Sequence, residues 1–145
     1  MRQFLCPSCS AVNRAPDGAD LRQAKCGRCH ARIFEGRPVE VSGAQFAAHR
    51  ASTQGVALLL DVWAPWCGPC RAMAPAFATA ATRLEPEARL LKLNSDENPQ
   101  IAAELGVRGI PALFLIRDGH VAAQSAGVMS ADQLVAWTRQ SLATA

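Results

Sequence analysis

Long apolar runs are missing from this chain. None approaches the ~18 residues of a membrane-spanning helix, and no apolar stretch of signal-peptide length precedes the first cysteine at position 6. The expectation is a cytoplasmic protein with no membrane partner. In such a reducing compartment, paired cysteines more often bind metal or do chemistry than form structural cross-links. Charge of one sign is also scarce: 15 Lys and Arg against 12 Asp and Glu leave a formal +3, too mild to argue for nucleic acid. Low-complexity sequence is absent, and nothing repeats except a C-x-x-C pair. Large apolar residues are few before position 37: Phe4, Leu5, Val12, Leu21, Ile33 and Phe34. That is too little for the segment to fold by burial alone.

What the chain does have is 145 residues, half of them hydrophobic, enough for one domain of about 100 residues plus a small appendage. Residues 1–40 hold seven basic and four acidic side chains, whereas residues 41–145 hold eight of each. The division expected is a four-cysteine module over residues 1–36 and an α/β domain over residues 37–145.

From Val39 onward, strand and helix patterns alternate. "PVEVS" reads as a short strand, and Ser42 caps the helix "SGAQFAAHR". "VALLLDVW" is apolar enough for a parallel strand covered on both faces. Met73, Phe77, Ala81 and Leu84 then recur at helical spacing, with a kink expected at Pro75. "ARLLKLNS" reads as a strand, and "NPQIAAELG" as a helix with Asn98 as its cap, Pro99 at its first position and Gly106 as its stop. "PALFLIRDGHVAAQSAG" gives two strands joined at Asp118-Gly119, and "SADQLVAWTRQSLA" a closing helix capped by Ser130. The order β-α-β-α-β-α-β-β-α predicts a mixed sheet, parallel at its centre and antiparallel at the last hairpin.

All six cysteines fall in C-x-x-C pairs. Cys6-Pro-Ser-Cys9, a 16-residue gap and Cys26-Gly-Arg-Cys29 fit the spacing of a tetrahedral zinc site. Four thiolates leave no open position, so one Zn²⁺ per chain would be structural, in preference to reversible redox pairs or a catalytic metal. The bound ion would lower the charge of the segment from +3 to about +1, which weakens a nucleic-acid reading further. His30, beside Cys29, is expected to be an exposed bystander.

Cys67-Gly-Pro-Cys70 differs because it follows a buried strand and opens a helix. One helical turn separates the two thiols, which permits a reversible disulfide. Pro69 costs no hydrogen bond in a first turn. The free N–H groups and the helix dipole there favour the Cys67 thiolate. Cys67 is therefore the expected nucleophile, and Cys70, further into the helix and expected to be more shielded, the resolving thiol. Asp61, a lone acid within "LLLDVW", must be desolvated, which raises its pKa and suits it to exchange a proton with Cys70. Trp66 is expected to form an exposed apolar rim and Trp63 to pack in the core. Met73 and Trp137 are assigned to the core, and His49 and His120 to the surface.

"W-C-G-P-C", "D-V-W-A", "KLNSDENP", "RGIP" and the late Gly119 and Gly127 resemble the thioredoxin family over about 100 residues. With the double C-x-x-C segment in front, the whole chain resembles the zinc-containing bacterial subgroup called thioredoxin 2. The resemblance implies a thioredoxin fold carrying a small N-terminal zinc-ribbon-like module. It implies a monomeric protein disulfide reductase in which Cys67, Cys70, Asp61 and Lys92 are catalytic. Substrate contact falls, by the same resemblance, to Trp66, Gly68, Pro69, Ile110, Pro111 and Gly127, with Ile110-Pro111 a cis bond. No organic cofactor would be bound, and electrons would come from NADPH through thioredoxin reductase to oxidised protein substrates. The alternative is a zinc-ribbon interaction module on a thioredoxin-like scaffold.

Overall fold

The computed structural model describes residues 1–144. Two short strands, β1 (Arg2–Leu5) and β2 (Val12–Ala15), pair antiparallel and are followed by a 3-10 turn at Leu21–Gln23. Then come β3 (Val39–Val41), α1 (Gly43–Ser52), β4 (Ala57–Trp63), α2 (Gly68–Leu84), β5 (Ala88–Asn94), α3 (Pro99–Glu104), β6 (Ala112–Arg117), β7 (His120–Ala126) and α4 (Ala131–Thr144). From β3 on, this is the order read from the sequence. The main sheet runs β3-β5-β4-β6-β7, with β3, β5 and β4 parallel and β6 and β7 antiparallel.

Strand parity sorts the apolar runs onto two faces. Leu58, Leu60 and Val62 of β4 meet Phe46 of α1, Ile101 of α3 and Leu105 just after it. Leu59, with Leu90, Leu113 and Leu115, meets Met73, Phe77, Ala81 and Leu84 of α2 and Leu134 and Val135 of α4. Side chains alternate along a strand, so Asp61 lies on the face covered by α2. Trp137 packs against this same core while remaining partly buried.

The caps and turns follow local chemistry. Ser42 Oγ accepts from Gln45 N, and Gln45 Oε1 accepts from Ser42 N, a reciprocal pair repeated at Ser130 and Gln133. Asp118 and Gly119 both have positive φ (48° and 84°), the two-residue turn whose twist suits a hairpin. Two expectations change. Asn98 is the N-cap residue of α3, as expected, but its side chain makes no bond to the first turn of the helix. Its Oδ1 accepts from Gly43 N at 2.8 Å and its Nδ2 donates to Asn94 O, so it ties α1 to β5. Helix α2 runs as one element through Pro75, which has no N–H to give to the Arg71 carbonyl. His49 is buried at 4% exposure rather than on the surface, because it follows Phe46 by one turn on the inward side of α1. Desolvation, then the nearby Arg89 charge, lowers its pKa to about 4, so it is a neutral imidazole.

The N-terminal segment closes its small core with borrowed residues. Phe4, Cys6, Leu21, Cys26, Ile33 and Phe34 cluster with Val56, the residue before β4. Gln3 and Gln54 exchange backbone hydrogen bonds. Arg89, buried in β5, donates to Ile33 O, sits 4.5 Å from the Phe34 ring centroid and pairs with Glu85 at 3.4 Å. Glu85 accepts from Gly36 N and Leu90 N as well. Both charges are nearly inaccessible, with side-chain exposures of 4% and 1%. Removing one member of such a pair strands the other. Arg89→Met should therefore lower unfolding free energy by about 3–5 kcal/mol in urea denaturation. Arg139→Ala, which breaks the half-exposed pair with Glu87, should cost at most about 1 kcal/mol.

Candidate functional site

The dithiol sits where β4 hands over to α2. Cys67 has extended backbone angles and is the N-cap of α2, and its sulfur accepts the Cys70 N–H at 3.2 Å. The first N–H groups of a helix have no carbonyl to meet, so sulfur takes the place usually filled by a Ser or Asp oxygen. Cys67 and Cys70 are joined by a disulfide, with Cα atoms 5.2 Å apart. Arg71 donates to Pro65 O at 2.8 Å and Cys67 N to Ala64 O at 3.1 Å, which fixes the loop between strand and helix.

Shielding does not separate the two cysteines as expected, since both are 4% exposed. Cys67 is covered because its sulfur lies 3.8 Å from the Ile110 carbonyl oxygen. What separates them is direction: Cys67 lines a groove of about 680 Å³, together with Trp66, Gly68, Pro69, Val107, Arg108 and Ile110. Cys70 does not line that groove, although both cysteines pack against Ala64. The groove is walled on its far side by Pro99, Ala102 and Ala103 around α3. Trp66 is 67% exposed at its rim, and its indole N–H donates to Asp96 Oδ1 at 3.1 Å. Ile110-Pro111 is a cis peptide, and Gly127 N donates to Pro111 O at 2.9 Å.

Asp61 is 1% exposed, and its Oδ1 has no hydrogen-bond partner. Burial raises its pKa from the ordinary 3.8 to about 7; Lys92 opposes the rise and Glu40 adds to it. In the sheet, Glu40 of β3, Lys92 of β5 and Asp61 of β4 are consecutive cross-strand neighbours on one face. Trp63 is half-buried, packing against Ala64, Cys67 and Cys70, so it belongs to the surroundings of the dithiol as much as to the core.

The other four cysteines converge at the N-terminal module. Their sulfurs all lie within 4.8 Å of one another, with Cys6–Cys29 and Cys9–Cys26 both at 3.6 Å. A tetrahedron of thiolates about a zinc ion has edges of roughly 3.8 Å, from Zn–S bonds of ~2.3 Å, so the donor set fits the ion. The two C-x-x-C turns are built alike. Cys6 N bonds Ala11 O and Ser10 N bonds Cys6 O; Cys26 N bonds Ala31 O and His30 N bonds Cys26 O. Ser8 N and Arg28 N point at the Cys6 and Cys26 sulfurs, both at 3.4 Å. Ser10 and His30 both take positive φ (64° and 65°), so His30 closes its turn through its backbone and is not among the clustered donors. The Cys26 thiol is lowered to about 5, chiefly by the Cys29 backbone N–H and next by the Asn13 amide.

Sequence reasoning did not single out Glu40, Asp96 or Arg108. Asp96 lies inside the quoted "KLNSDENP", but nothing local shows that it meets Trp66, 30 residues away. Glu40 reads as an ordinary exposed charge in "PVEVS" until strand pairing sets it beside Lys92.

A helix-capping cysteine pair thus lies beside a cis-proline at the edge of an apolar groove. The sequence matches the thioredoxin family over residues 37–140. Thioredoxin C-3 of Corynebacterium nephridii is 34% identical over 139 residues, covering 96% of this chain and 94% of that relative. That span takes in most of the four-cysteine segment as well. Thioredoxin of Pseudomonas aeruginosa is 40% identical over 99 residues, 68% of this chain and 91% of its own length. Among solved structures, thioredoxin f from spinach chloroplast superposes with a TM-score of 0.69 at 28% identity, covering 75% of this chain and 89% of that one. The chain belongs to the thioredoxin family and has the thioredoxin fold.

A carboxyl whose pKa rises on folding weakens the native state once it ionises. Asp61 should cost nothing below pH 4 and progressively more from pH 4 to pH 7, reaching about 4 kcal/mol above that window. Asp61→Asn should therefore be more stable than the parent at pH 8, by up to about that amount, and nearly equal to it at pH 4. Urea unfolding at the two pH values measures the difference.

Proposed function

We propose that this chain is a protein disulfide reductase of the zinc-containing thioredoxin type. Its division into a metal module (residues 1–36) and a thioredoxin domain (residues 37–145) belongs to the same reading. The observation that carries it is the double position of Cys67: its sulfur caps α2 and faces the groove beside Ile110. Support for the subgroup comes from the clustered Cys6, Cys9, Cys26 and Cys29 and from the relative matched over 96% of the chain.

In the reduced protein, the N–H groups at the start of α2 favour the Cys67 thiolate. An extended substrate segment lies in the groove, its disulfide brought to Cys67 between the Trp66 rim, Gly68-Pro69 and the Ile110-Pro111 turn, with Gly127 beside the turn. Cys67 attacks one substrate sulfur, the substrate S–S bond breaks, and the first substrate thiolate leaves. Cys70 gives its proton to Asp61, through solvent, and attacks the Cys67 sulfur. The Cys67–Cys70 disulfide forms and the second substrate thiolate departs, so two electrons pass to the substrate. Lys92 moderates the proton affinity of Asp61. Thioredoxins need no organic cofactor, and members of the family are reduced by thioredoxin reductase. For this chain the source is a flavoprotein reductase drawing on NADPH.

Cys6, Cys9, Cys26 and Cys29 hold one Zn²⁺, which supplies folding free energy on the order of 10–16 kcal/mol to a module with little core of its own. No step of the exchange involves it.

Cys67→Ser should reduce insulin-disulfide turnover to background while retaining one zinc per chain by elemental analysis. Turnover that survives this change would favour the interaction-module reading. Thiol titration of the reduced native protein should find two fast thiols and four protected ones, the latter released only by a chelator.

A further inference from the structure

Lys92 is the only lysine in the thioredoxin-matched part of the chain, and its setting is unusual. It is flanked in register by carboxylates on both sides, Glu40 and Asp61, yet among the described residues it forms no ion pair with either. Its Nζ instead lies 4.9 Å from the centroid of the Trp63 ring. That ring is fixed at its edge: Trp63 Nε1 donates to Glu40 Oε1 at 3.0 Å. The outcome appears at Asp61, whose Oδ1 is buried and unpartnered although a cation stands on the adjacent strand.

An ammonium near a desolvated carboxylate gains most by contacting it, because the attraction is weakly screened there. A seat on an indole face offsets part of that preference, worth about 0.5–2 kcal/mol depending on exposure. The seat exists only while the ring stays in place; besides the packing of Trp63 against Ala64, Cys67 and Cys70, the Glu40 bond is what fixes the edge of the ring. We propose that Glu40 is a positioning residue for the exchange reaction. By anchoring the Trp63 indole it keeps Lys92 on the ring face and away from Asp61, leaving the Asp61 carboxyl free to take and release a proton. The proposal rests on the reading of Asp61 as the proton acceptor for Cys70. Glu40 also acts as a charge, since it raises the pKa of Asp61 directly. The charged groups acting on this row are Lys92 on Asp61 and on Glu40, and Glu97 on Glu40. In the oxidised protein, Cys67 and Cys70 do not titrate.

Carboxyl ¹³C NMR titration of Asp61 in the oxidised protein separates anchoring from charge. Glu40→Gln removes the charge but keeps an oxygen to accept from the indole; Glu40→Ala removes both. Glu40→Ala should move the Asp61 midpoint down by about one pH unit, the low end of what a newly formed opposite-charge contact produces. Glu40→Gln should move it by less than half as much and leave the Trp63 indole N–H resonance near its parental position. In a Lys92→Met background the two Glu40 variants should give the same midpoint. Equal shifts for Glu40→Gln and Glu40→Ala with Lys92 present, or no shift for either, would overturn the proposal. The proton-acceptor reading fails separately: if Asp61→Asn leaves the pH profile of insulin reduction unchanged, Asp61 is not the acceptor, whatever the Glu40 titrations show.

Discussion

Backbone N–H groups at the start of a helix have no partner inside it, and here a sulfur answers one of them. That bond, from Cys70 N to Cys67 Sγ, makes the spacing of two residues between the cysteines meaningful. It requires the helix to begin at Gly68 and Cys67 to remain extended, which in turn fixes the exit from β4. The helix is held in place by its apolar stripe, since Met73, Phe77, Ala81 and Leu84 are wholly buried against the sheet. Four core side chains far along α2 thus set the position of two sulfurs at its tip. Pro69 fits because an N–H is dispensable there. Arg71 keeps the preceding loop from drifting by bonding Pro65 O.

Two buried acids in this chain meet opposite fates. Glu85 is surrounded by donors: Arg89, Gly36 N and Leu90 N. Asp61 is equally hidden but has one oxygen with no partner. The first arrangement satisfies a charge where the N-terminal segment joins the sheet. The second leaves a carboxyl in a position where an apolar residue would gain ~1.5–3 kcal/mol from burial. Structural sites minimise that kind of discord, and functional sites retain it. The contrast separates two acids that composition alone treats alike.

Most of the fold was legible because its signals are local. The continuous apolar run of β4, the capping Ser42 and Ser130, and the Asp118-Gly119 turn each act within a few residues. The grouping of the cysteines into a cluster of four and a pair was legible because C-x-x-C spacing carries its own geometry. What escaped depends on contacts between distant segments. Asn98 is the N-cap of α3 by position, but its side chain bonds Gly43, 55 residues away. His49 is polar, and only its spacing from Phe46 hinted at the inward face. The hairpin of β1 and β2 was missed because its strands have four residues each and alternate weakly. Glu40 joined the site only through the register of an edge strand.

The N-terminal module has too few apolar residues to close a core, and the larger body supplies the remainder. Val56 completes its cluster, and Arg89 covers Phe34 from the sheet side. Cys6 and Cys26 lie in that same cluster, so the thiolate group and the joint with the sheet are one packed unit. Val56 and Arg89 stand at the starts of β4 and β5, whereas the dithiol lies beyond the far end of β4. Seven residues of strand separate the two ends by about 20 Å. A disturbance at the four-cysteine cluster therefore reaches the joint at Arg89 and Glu85 first. To reach the cysteines of α2 it must cross a strand whose residues are buried on both faces. The sheet that places Asp61 beneath α2 also separates it from the module, so the four clustered cysteines and the Cys67–Cys70 pair stand apart at opposite ends of β4.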